Sequence, residues 1–319
     1  MKTNILLAIT MTMLLLTSCT HKDLDFPEGN SQLEVFFNWS LVPDAQPDGM
    51  LLTLFSGSSQ PVSFHFANPE GGSLMVPSKN YGMIAYNDNI ENLQTRGSIW
   101  NDFEIFAVPT VMTSISQMFA STRNIPKAPG TENQQIISEP DFLWVSACKD
   151  VDVKGGKTIT MQMKSSTIIF PFSITGVENI GQITNIAASI SGMSGSCYPA
   201  SGTISAPDCI IPFELKSDGV STIYGQVRTF GHSDDEPADT RHILVVYFQT
   251  ADNSKYYVPI DVTDGIHKWT LQHPPGGGQT PDDSYIEITD FSIPEPIGED
   301  SGLQPAVDEW KEIDINIRM

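Results

Sequence analysis

The residue with the most definite chemistry in this sequence is Cys19, which directly follows the small residues Thr17 and Ser18. A cysteine behind small residues, at the end of an N-terminal apolar run, matches the cleavage site of a bacterial lipoprotein signal. There the thiol takes a diacylglycerol, and the amine that cleavage frees takes a further acyl chain, with palmitate as the expected type. The alternative is an ordinary signal peptide in which the cysteine occurs by chance.

The segment that positions Cys19 is the apolar run before it, in which Lys2 is the only basic residue. This run is too short and wrongly flanked to remain as a membrane-spanning helix, so it predicts a cleaved signal peptide over residues 1–18. Several acyl chains hold a protein stably at a membrane, whereas one chain is marginal. We therefore expect a mature protein that is tethered by lipid rather than spanning, with a polar tether over residues 19–31.

The charge of the chain limits its partners. The formal net charge is −21, which comes from scarce lysine and arginine rather than from long acidic tracts. A strongly acidic surface repels nucleic acid and anionic lipid head groups, so we expect no nucleic-acid partner. Since charged residues make up only 17% of the chain and hydrophobic ones 40%, the composition is that of a folded protein.

Three further cysteines, Cys148, Cys197 and Cys209, follow Cys19. An exported chain folds in an oxidising compartment, where Cys197 and Cys209 could form a disulfide across a short hairpin. The alternative is that both remain free, because an unpaired cysteine commonly behaves as a small buried hydrophobic residue. Cys148 lies in an apolar strand pattern, and we expect it to pack in a core.

Metal binding has one weak candidate in the sequence, an acidic segment of four carboxylates at Asp234, Asp235, Glu236 and Asp239. Calcium prefers oxygen ligands of this kind, but the segment lacks the Asp-x-Asp-x-Asp-Gly pattern, and a solvated hairpin tip is the alternative. The six histidines form no i, i+4 pair on a helix and accompany no Cys-x-x-Cys. The sequence therefore predicts no zinc site and no cofactor other than the covalent lipid.

Few residues in this sequence suggest catalysis or sugar binding. The serine-rich stretch 191–196 lacks the Gly-x-Ser-x-Gly spacing and the following helix of a nucleophile elbow, so we predict that the protein is not an enzyme. Trp100 lies in a polar loop and is the best candidate for stacking on a sugar ring. The alternative for Trp100 is packing of its loop onto a sheet.

The elements that carry these residues are predicted to be β-strands. Apolar side chains recur at every second position from Leu33 to Trp39, which indicates a strand with one buried face. Short segments of this kind, bounded by Gly, Pro, Asn or Ser, recur along the chain and include a predicted strand at His267–Leu271. We predict an all-β protein with two β-sandwich domains in series, over residues 32–164 and 165–319.

Three stretches carry a resemblance to a known family. They are Cys19-Thr20-His21-Lys22-Asp23-Leu24 with Val35-Phe36-Phe37-Asn38-Trp39-Ser40, then Tyr81 to Asn87 with Arg96-Gly97, and Gly302-Leu303-Gln304-Pro305-Ala306-Val307-Asp308-Glu309-Trp310. Together they resemble Bacteroidetes lipoproteins related to minor fimbrial subunits, the FimB-type anchor and assembly proteins of fimbrillin pili. The resemblance implies transthyretin-like sandwiches, an outer-membrane lipid anchor exposed at the cell surface, and partner fimbrial subunits bound by strand addition. It assigns a functional role to Cys19 alone.

The first arginine of the chain distinguishes two kinds of subunit within that family. The pilins of the system resemble substrates of arginine-specific proteases, which remove an N-terminal strand and open a groove for the next subunit. Here the first arginine is Arg96, well behind the first predicted strand. The resemblance therefore implies a retained anchor rather than a polymerising stalk subunit. The alternative function is that of a surface carbohydrate-binding lipoprotein.

Overall fold

The computed structural model describes six segments of the 319-residue chain, which are residues 29–57, 59–120, 125–232, 240–273, 285–295 and 309–313. Cys19 and the predicted signal peptide lie outside these segments. The acidic segment with Asp234, Asp235, Glu236 and Asp239 also lies outside them.

The regular secondary structure of the described residues is almost all β, as the alternating sequence pattern predicts. Two short α-helices accompany the strands, together with 3-10 turns at Trp100–Asp102 and Ile180–Gln182. In chain order the elements are β1 (Asn30–Asn38), β2 (Met50–Phe55), β3 (Val62–Phe66), β4 (Gly71–Pro77), β5 (Asn80–Asn87), β6 (Leu93–Arg96), β7 (Glu104–Ala107), α1 (Thr113–Met118), β8 (Gln135–Ile136), β9 (Trp144–Asp152), β10 (Lys157–Gln162), β11 (Lys164–Ser165), β12 (Ile168–Ile174), β13 (Ile183–Met193), β14 (Ser196–Tyr198), β15 (Thr203–Ile204), β16 (Cys209–Ser217), β17 (Ile223–Thr229), β18 (Ile243–Thr250), β19 (Lys255–Asp261), α2 (Thr263–Gln272), β20 (Ile286–Ile288) and β21 (Trp310–Glu312).

These strands form four sheets in the described part of the chain. A three-stranded sheet has the order β10-β1-β4, and a five-stranded sheet has the order β11-β9-β5-β2-β3. A nine-stranded sheet runs β20-β12-β17-β16-β13-β18-β19-β21, with β8 paired to β16, and a four-stranded sheet runs β15-β14-β7-β6. The first two sheets are made of residues before position 166, and the nine-stranded sheet is made mainly of residues after it.

The first core lies between the three-stranded and the five-stranded sheets. On β1 the side chains of Leu33 and Val35 are fully buried and that of Phe37 is 3% exposed, whereas the intervening Phe36 is 46% exposed. Burial of one such side chain stabilises a fold by about 1.5–3 kcal/mol. The alternation read from the sequence therefore sets which face of β1 meets the core.

A second core crosses the predicted boundary between residues 164 and 165. It combines apolar side chains of the nine-stranded sheet with those of β5, β7 and β9. The four-stranded sheet also crosses this position, since Ile105 of β7 pairs with Cys197 of β14. The two halves of the chain thus share both a core and a sheet.

The predicted strand at His267–Leu271 is wrong, because these residues belong to helix α2. Ile266 and Trp269 are three positions apart and both are buried, which is the spacing of one helix face. At the start of the helix, Asp261 Oδ1 accepts hydrogen bonds from the backbone N–H and the hydroxyl of Thr263, at 3.1 and 2.6 Å. Local polar contacts and one buried face outweigh the strand-like alternation.

Candidate functional sites

The N-terminal strand β1 is the element that continues the predicted lipid tether. It pairs in parallel with β10 from Leu33 to Asn38 and antiparallel with β4 from Asn30 to Phe36. Ser31 at its start bonds the Ser78 hydroxyl at 2.7 Å and accepts the N–H of Gly155 at 3.1 Å. Every residue of the first described strand is therefore paired on at least one side, and residues 33–36 are paired on both.

The last described strand, β21, lies at an edge of the nine-stranded sheet. Among the described strands it pairs with β19 alone, in parallel, through Trp310, Lys311 and Glu312. The Trp310 ring packs edge-on against Phe119 and Tyr247, with centroids 5.2 and 5.6 Å away. Outside the sheet ladder, the Tyr257 hydroxyl donates to Glu312 at 2.6 Å, and this hydrogen bond raises the pKa of Tyr257 to about 12.

The outer edge of β3 is open to solvent in the described structure. Among the described strands, β3 pairs with β2 alone, and Val62 at its start is 54% exposed. Its sequence, Val-Ser-Phe-His-Phe, contains no lysine, acidic residue or proline, which are the usual residues that block an edge against pairing. Its His65 bonds Asp88 at 2.5 Å across the surface, so that histidine faces outward.

The candidate disulfide between Cys197 and Cys209 is not formed, because both residues are buried free thiols. Their strands pair with different partners, Cys197 with Ile105 and Cys209 with Met193. Burial raises the pKa of each thiol to about 12, which leaves little reactive thiolate at neutral pH. Both cysteines therefore match the alternative interpretation, in which they are small buried hydrophobic residues. Cys148 is partly buried and packs against the first core.

Trp100 lies in a 3-10 turn that packs onto the five-stranded sheet. Its ring sits over Gly82, where a Cβ atom would come within 2.5 Å of the indole, and its Nε1 donates to the Met83 carbonyl at 3.3 Å. The half-buried ring borders a cavity of about 330 Å³, with the Lys149 ammonium 5.6 Å from its centroid. Packing of the loop onto the sheet therefore accounts for the buried part of the Trp100 side chain. A sugar contact at the exposed part of the ring remains a prediction.

A larger cavity of about 610 Å³ opens between β12, β16 and β17. Two exposed aromatic side chains, Tyr224 and Tyr285, line it together with Glu139, Glu214 and Lys216. Desolvation raises the pKa of Glu139, although Arg228 opposes this change. Aromatic faces next to carboxylates are the groups that contact sugar rings and hydroxyls in binding clefts. Sequence patterns do not reveal this cavity, because its walls come from distant segments.

Three histidines that the sequence does not associate with one another converge at one end of the nine-stranded sheet. His232 follows β17, His242 precedes β18 and His267 lies on α2, and one ring nitrogen of each lies within 4.8 Å of the others. The prediction of no zinc site was made from spacing along the sequence and did not consider this cluster. Spacing rules missed it because each residue comes from a different element, and because α2 was predicted as a strand.

The sheet architecture and these surfaces define a β-rich protein without a recognisable catalytic set among the described residues. The chain belongs to the family described as a domain of unknown function, DUF5119, whose model matches residues 18–214.

Individual relatives have more specific names than the family does. The chain is 24% identical to a Bacteroides ovatus protein named "putative fimbrium anchoring subunit Fim4B", over 95% of this chain and 94% of that one. Its fold is similar to the crystal structure of a "putative adhesin" from Bacteroides ovatus, with a TM-score of 0.61, 20% identity, and coverage of 89% and 99% of the two chains. The fimbrial anchor protein Mfa2 from Porphyromonas gingivalis is a weaker match, with a TM-score of 0.46, 13% identity, and coverage of 81% and 89%.

The resemblance to FimB-type anchor proteins is confirmed by the match to Fim4B. The adhesin structure supports the β-rich fold. No helix within the described segments is both long enough and apolar enough to cross a membrane.

Proposed function

We propose that this protein is a lipid-anchored cell-surface protein of the outer membrane, tethered at Cys19, that anchors or assembles fimbriae. The observation that carries the proposal is the position of β1, whose predicted tether leads directly into the middle of a sheet. Asn30 is eleven positions beyond Cys19, which allows a reach of at most about 40 Å from the lipid. The similarity to a protein named as a fimbrium anchoring subunit supports the same role.

The retained N-terminal strand supports an anchor over a stalk subunit. Removal of β1 would open a groove between β4 and β10, into which another subunit's strand could insert. No arginine precedes Arg96, so an arginine-specific protease has no site ahead of this strand. In our proposal the groove stays filled by the protein's own β1, and attachment to the fimbria uses another surface.

The experiment compares wild type with Cys19→Ala in cells that lack the native gene. We expect the variant to leave the membrane fraction and to release fimbriae into the medium, while a Cys148→Ala control keeps both with the cells. Membrane fractionation and the ratio of shed to cell-bound fimbriae measure the effect. A Cys19→Ala protein that stayed in the membrane fraction would contradict the tether, and fimbriae of unchanged number and attachment after gene deletion would contradict the fimbrial role.

We also propose that the chain is organised as two transthyretin-like β-sandwiches, over residues 32–164 and 165–319. The core between the three-stranded and five-stranded sheets supports the first unit. The shared sheet of β7 and β14 implies that the two units are joined rigidly.

For the fimbrial contact we propose strand addition at the open edge of β3. The nine-stranded sheet already accepts three short parallel strands from distant parts of the chain, namely β8, β20 and β21. A sheet edge binds such a strand through its unpaired backbone groups. Of the described edge strands longer than three residues, β3 alone lacks a charged residue, a glycine and a proline, and so resists pairing least.

Val62→Lys tests this edge, because a lysine on an edge strand opposes pairing with a second chain. Val220→Lys is the matched control, since Val220 is a 77% exposed valine in the turn between β16 and β17. We expect Val62→Lys to lower the amount of fimbrial subunit that co-purifies with this protein at least about 10-fold, and Val220→Lys to leave it unchanged. Equal co-purification in both variants would exclude β3 as the binding edge.

Carbohydrate binding is the second candidate function, and the cavity with Tyr224 and Tyr285 is the observation that favours it. A glycan array with wild type, Tyr224→Ala and Trp100→Ala separates two positions for the sugar. Loss of binding in Tyr224→Ala alone would place the sugar in the larger cavity, and loss in Trp100→Ala alone would place it at the smaller one. Absence of any bound glycan at millimolar protein concentration would remove this candidate.

A further inference from the structure

We propose that His232, His242 and His267 form a binding site for a divalent transition-metal ion, with Zn²⁺ as the ion that the ligand set fits. One imidazole nitrogen of each residue lies within 4.8 Å of the other two, and the ring centroids are 4.7 to 5.3 Å apart. Imidazole nitrogen is a preferred zinc ligand, and a set of three histidines occurs in zinc proteins. This inference is independent of the fimbrial role.

The spacing allows the site to close around an ion by rotation of side chains. Zinc binds imidazole nitrogen at about 2.0–2.1 Å, so two nitrogens in a tetrahedral site are about 3.3 Å apart. The present upper separation of 4.8 Å requires the nitrogens to approach one another by roughly 1.5 Å at most. Because the histidines come from the end of β17, the start of β18 and α2, an ion would add a direct link between three separate elements.

A hydrogen bond orients the His232 ring. The Thr270 hydroxyl donates its one proton to the Ile266 carbonyl at 2.9 Å, so it accepts in its 3.1 Å contact with His232 Nε2. A hydrogen bond from His232 Nε2 to this hydroxyl places the ring proton on Nε2 and leaves Nδ1 as the nitrogen without a proton. Metal-binding histidines usually donate their second ring N–H to such a group, which fixes the ring.

Hydrogen bonds and close packing also fix the backbone around His242. Its N–H donates to the Thr263 hydroxyl at 3.0 Å, and Thr263 in turn donates to Asp261. The fully buried His242 ring lies next to Gly192, where a Cβ atom would come within 3.0 Å of Nδ1 and 2.5 Å of the Arg241 carbonyl. Gly192 also has φ +75°, so a side chain there would be strained as well as crowded. The start of α2 and the start of β18 are thus held together beside the ring.

The alternative is a cluster of histidines that only pack against one another. Packing needs ring contact alone, whereas here one nitrogen of every ring also lies within 4.8 Å of a nitrogen of the other two. A bound cation would use these three nitrogens together, which favours the metal site.

The test titrates ZnCl2 into the untagged full chain by calorimetry and repeats the titration with CoCl2, whose visible absorption reports the coordination. We expect one Zn²⁺ per chain with a dissociation constant of about 10 µM or tighter. His232→Gln and His267→Gln alter half-buried residues and should each weaken Zn²⁺ binding at least about 10-fold and remove the cobalt absorption band. His65→Gln, at an exposed histidine, is the matched control and should bind as wild type does.

Thr270→Val removes the acceptor of His232 Nε2 and should weaken Zn²⁺ binding about 10–100-fold without loss of any direct ligand. Circular dichroism establishes that each variant is folded before it is titrated. Absence of Zn²⁺ uptake by the wild-type chain up to about 100 µM would overturn the proposal. Wild-type affinity in either glutamine variant would do the same, because the ion would then be bound by other groups.

Discussion

The two ends of the described chain, β1 and β21, each pair in parallel with a neighbouring strand, yet they are held very differently. β1 has nine residues and two partners, β4 and β10, and its inward side chains are buried. β21 has three residues and one partner, β19, and its residues are half-buried or exposed. The N-terminal end is built into the middle of a sheet, whereas the C-terminal part lies on an edge.

This difference means that β1 is a permanent part of its sheet, whereas β21 can detach from its sheet and return. Release of β1 would break two hydrogen-bond ladders and uncover Leu33, Val35 and Phe37 at the same time. Release of β21 would expose one edge of β19 and the contacts of Trp310. Because the free energy of local opening rises with the buried area and hydrogen bonds that are lost, β21 should open far more often than β1.

The largest effect is expected for Phe37→Ala in β1. Phe37 is 3% exposed and packs edge-on against Phe66 at 5.5 Å, so its truncation should lower the free energy of unfolding by about 3–5 kcal/mol. Phe36→Ala is the matched control, because the neighbouring ring points outward, and it should cost less than about 1 kcal/mol. Denaturant unfolding measures both. Equal losses would mean that β1 is not the buried central strand described here.

A smaller and local effect is expected for Trp310→Ala in β21. Loss of the ring contacts with Phe119 and Tyr247 should make local opening easier by about 1–3 kcal/mol. Hydrogen exchange should then be faster for the amides of β19 and unchanged for those of β1. Faster exchange in β1 as well would show that the two ends are coupled, and the contrast between them would fail.

The smallest effect concerns pH and the Tyr257–Glu312 hydrogen bond, which joins β19 to β21. The hydrogen bond raises the pKa of Tyr257 from its usual value of 10 to about 12, so the folded state favours the neutral phenol. The stabilisation is therefore complete below pH 10 and is lost as the pH rises to 12. Hydrogen exchange at β19 should rise over this range in wild type more than in Tyr257→Phe. Identical pH profiles would show that this bond does not hold β21.

The strands with strict alternation were predictable from sequence, because burial of one face fixes their period. β1 is an example, since its buried residues Leu33, Val35 and Phe37 follow the pattern directly. Helix α2 was not predictable in this way, because its structure depends on two contacts that a strand pattern does not show. These are the hydrogen bond of Thr263 to Asp261 and that of Trp269 to the Ile169 carbonyl, 100 positions away.

The candidate sites divide in the same way, into those that a local sequence pattern reveals and those that only the folded chain creates. Cys19 is recognised by a local pattern that needs no fold, and it stays a prediction because it lies outside the described residues. The cluster of His232, His242 and His267 depends on three elements that meet only in the folded chain. A correct helix at His267 would still not have revealed it, since the pairing of β18 with β13 and β19 is what places His242 nearby.

The double pairing of β1 also has a mechanical consequence. A pull on residue 30 along the strand axis acts across both ladders at once, so the rungs to β4 and β10 share the force in shear. An edge strand pulled sideways gives way one rung after another, at a much lower force. A protein tethered at its N-terminal side would thus resist a pulling force on the partner that it carries. The two hydrogen-bond ladders of β1 would bear that force, and no further covalent link would be needed.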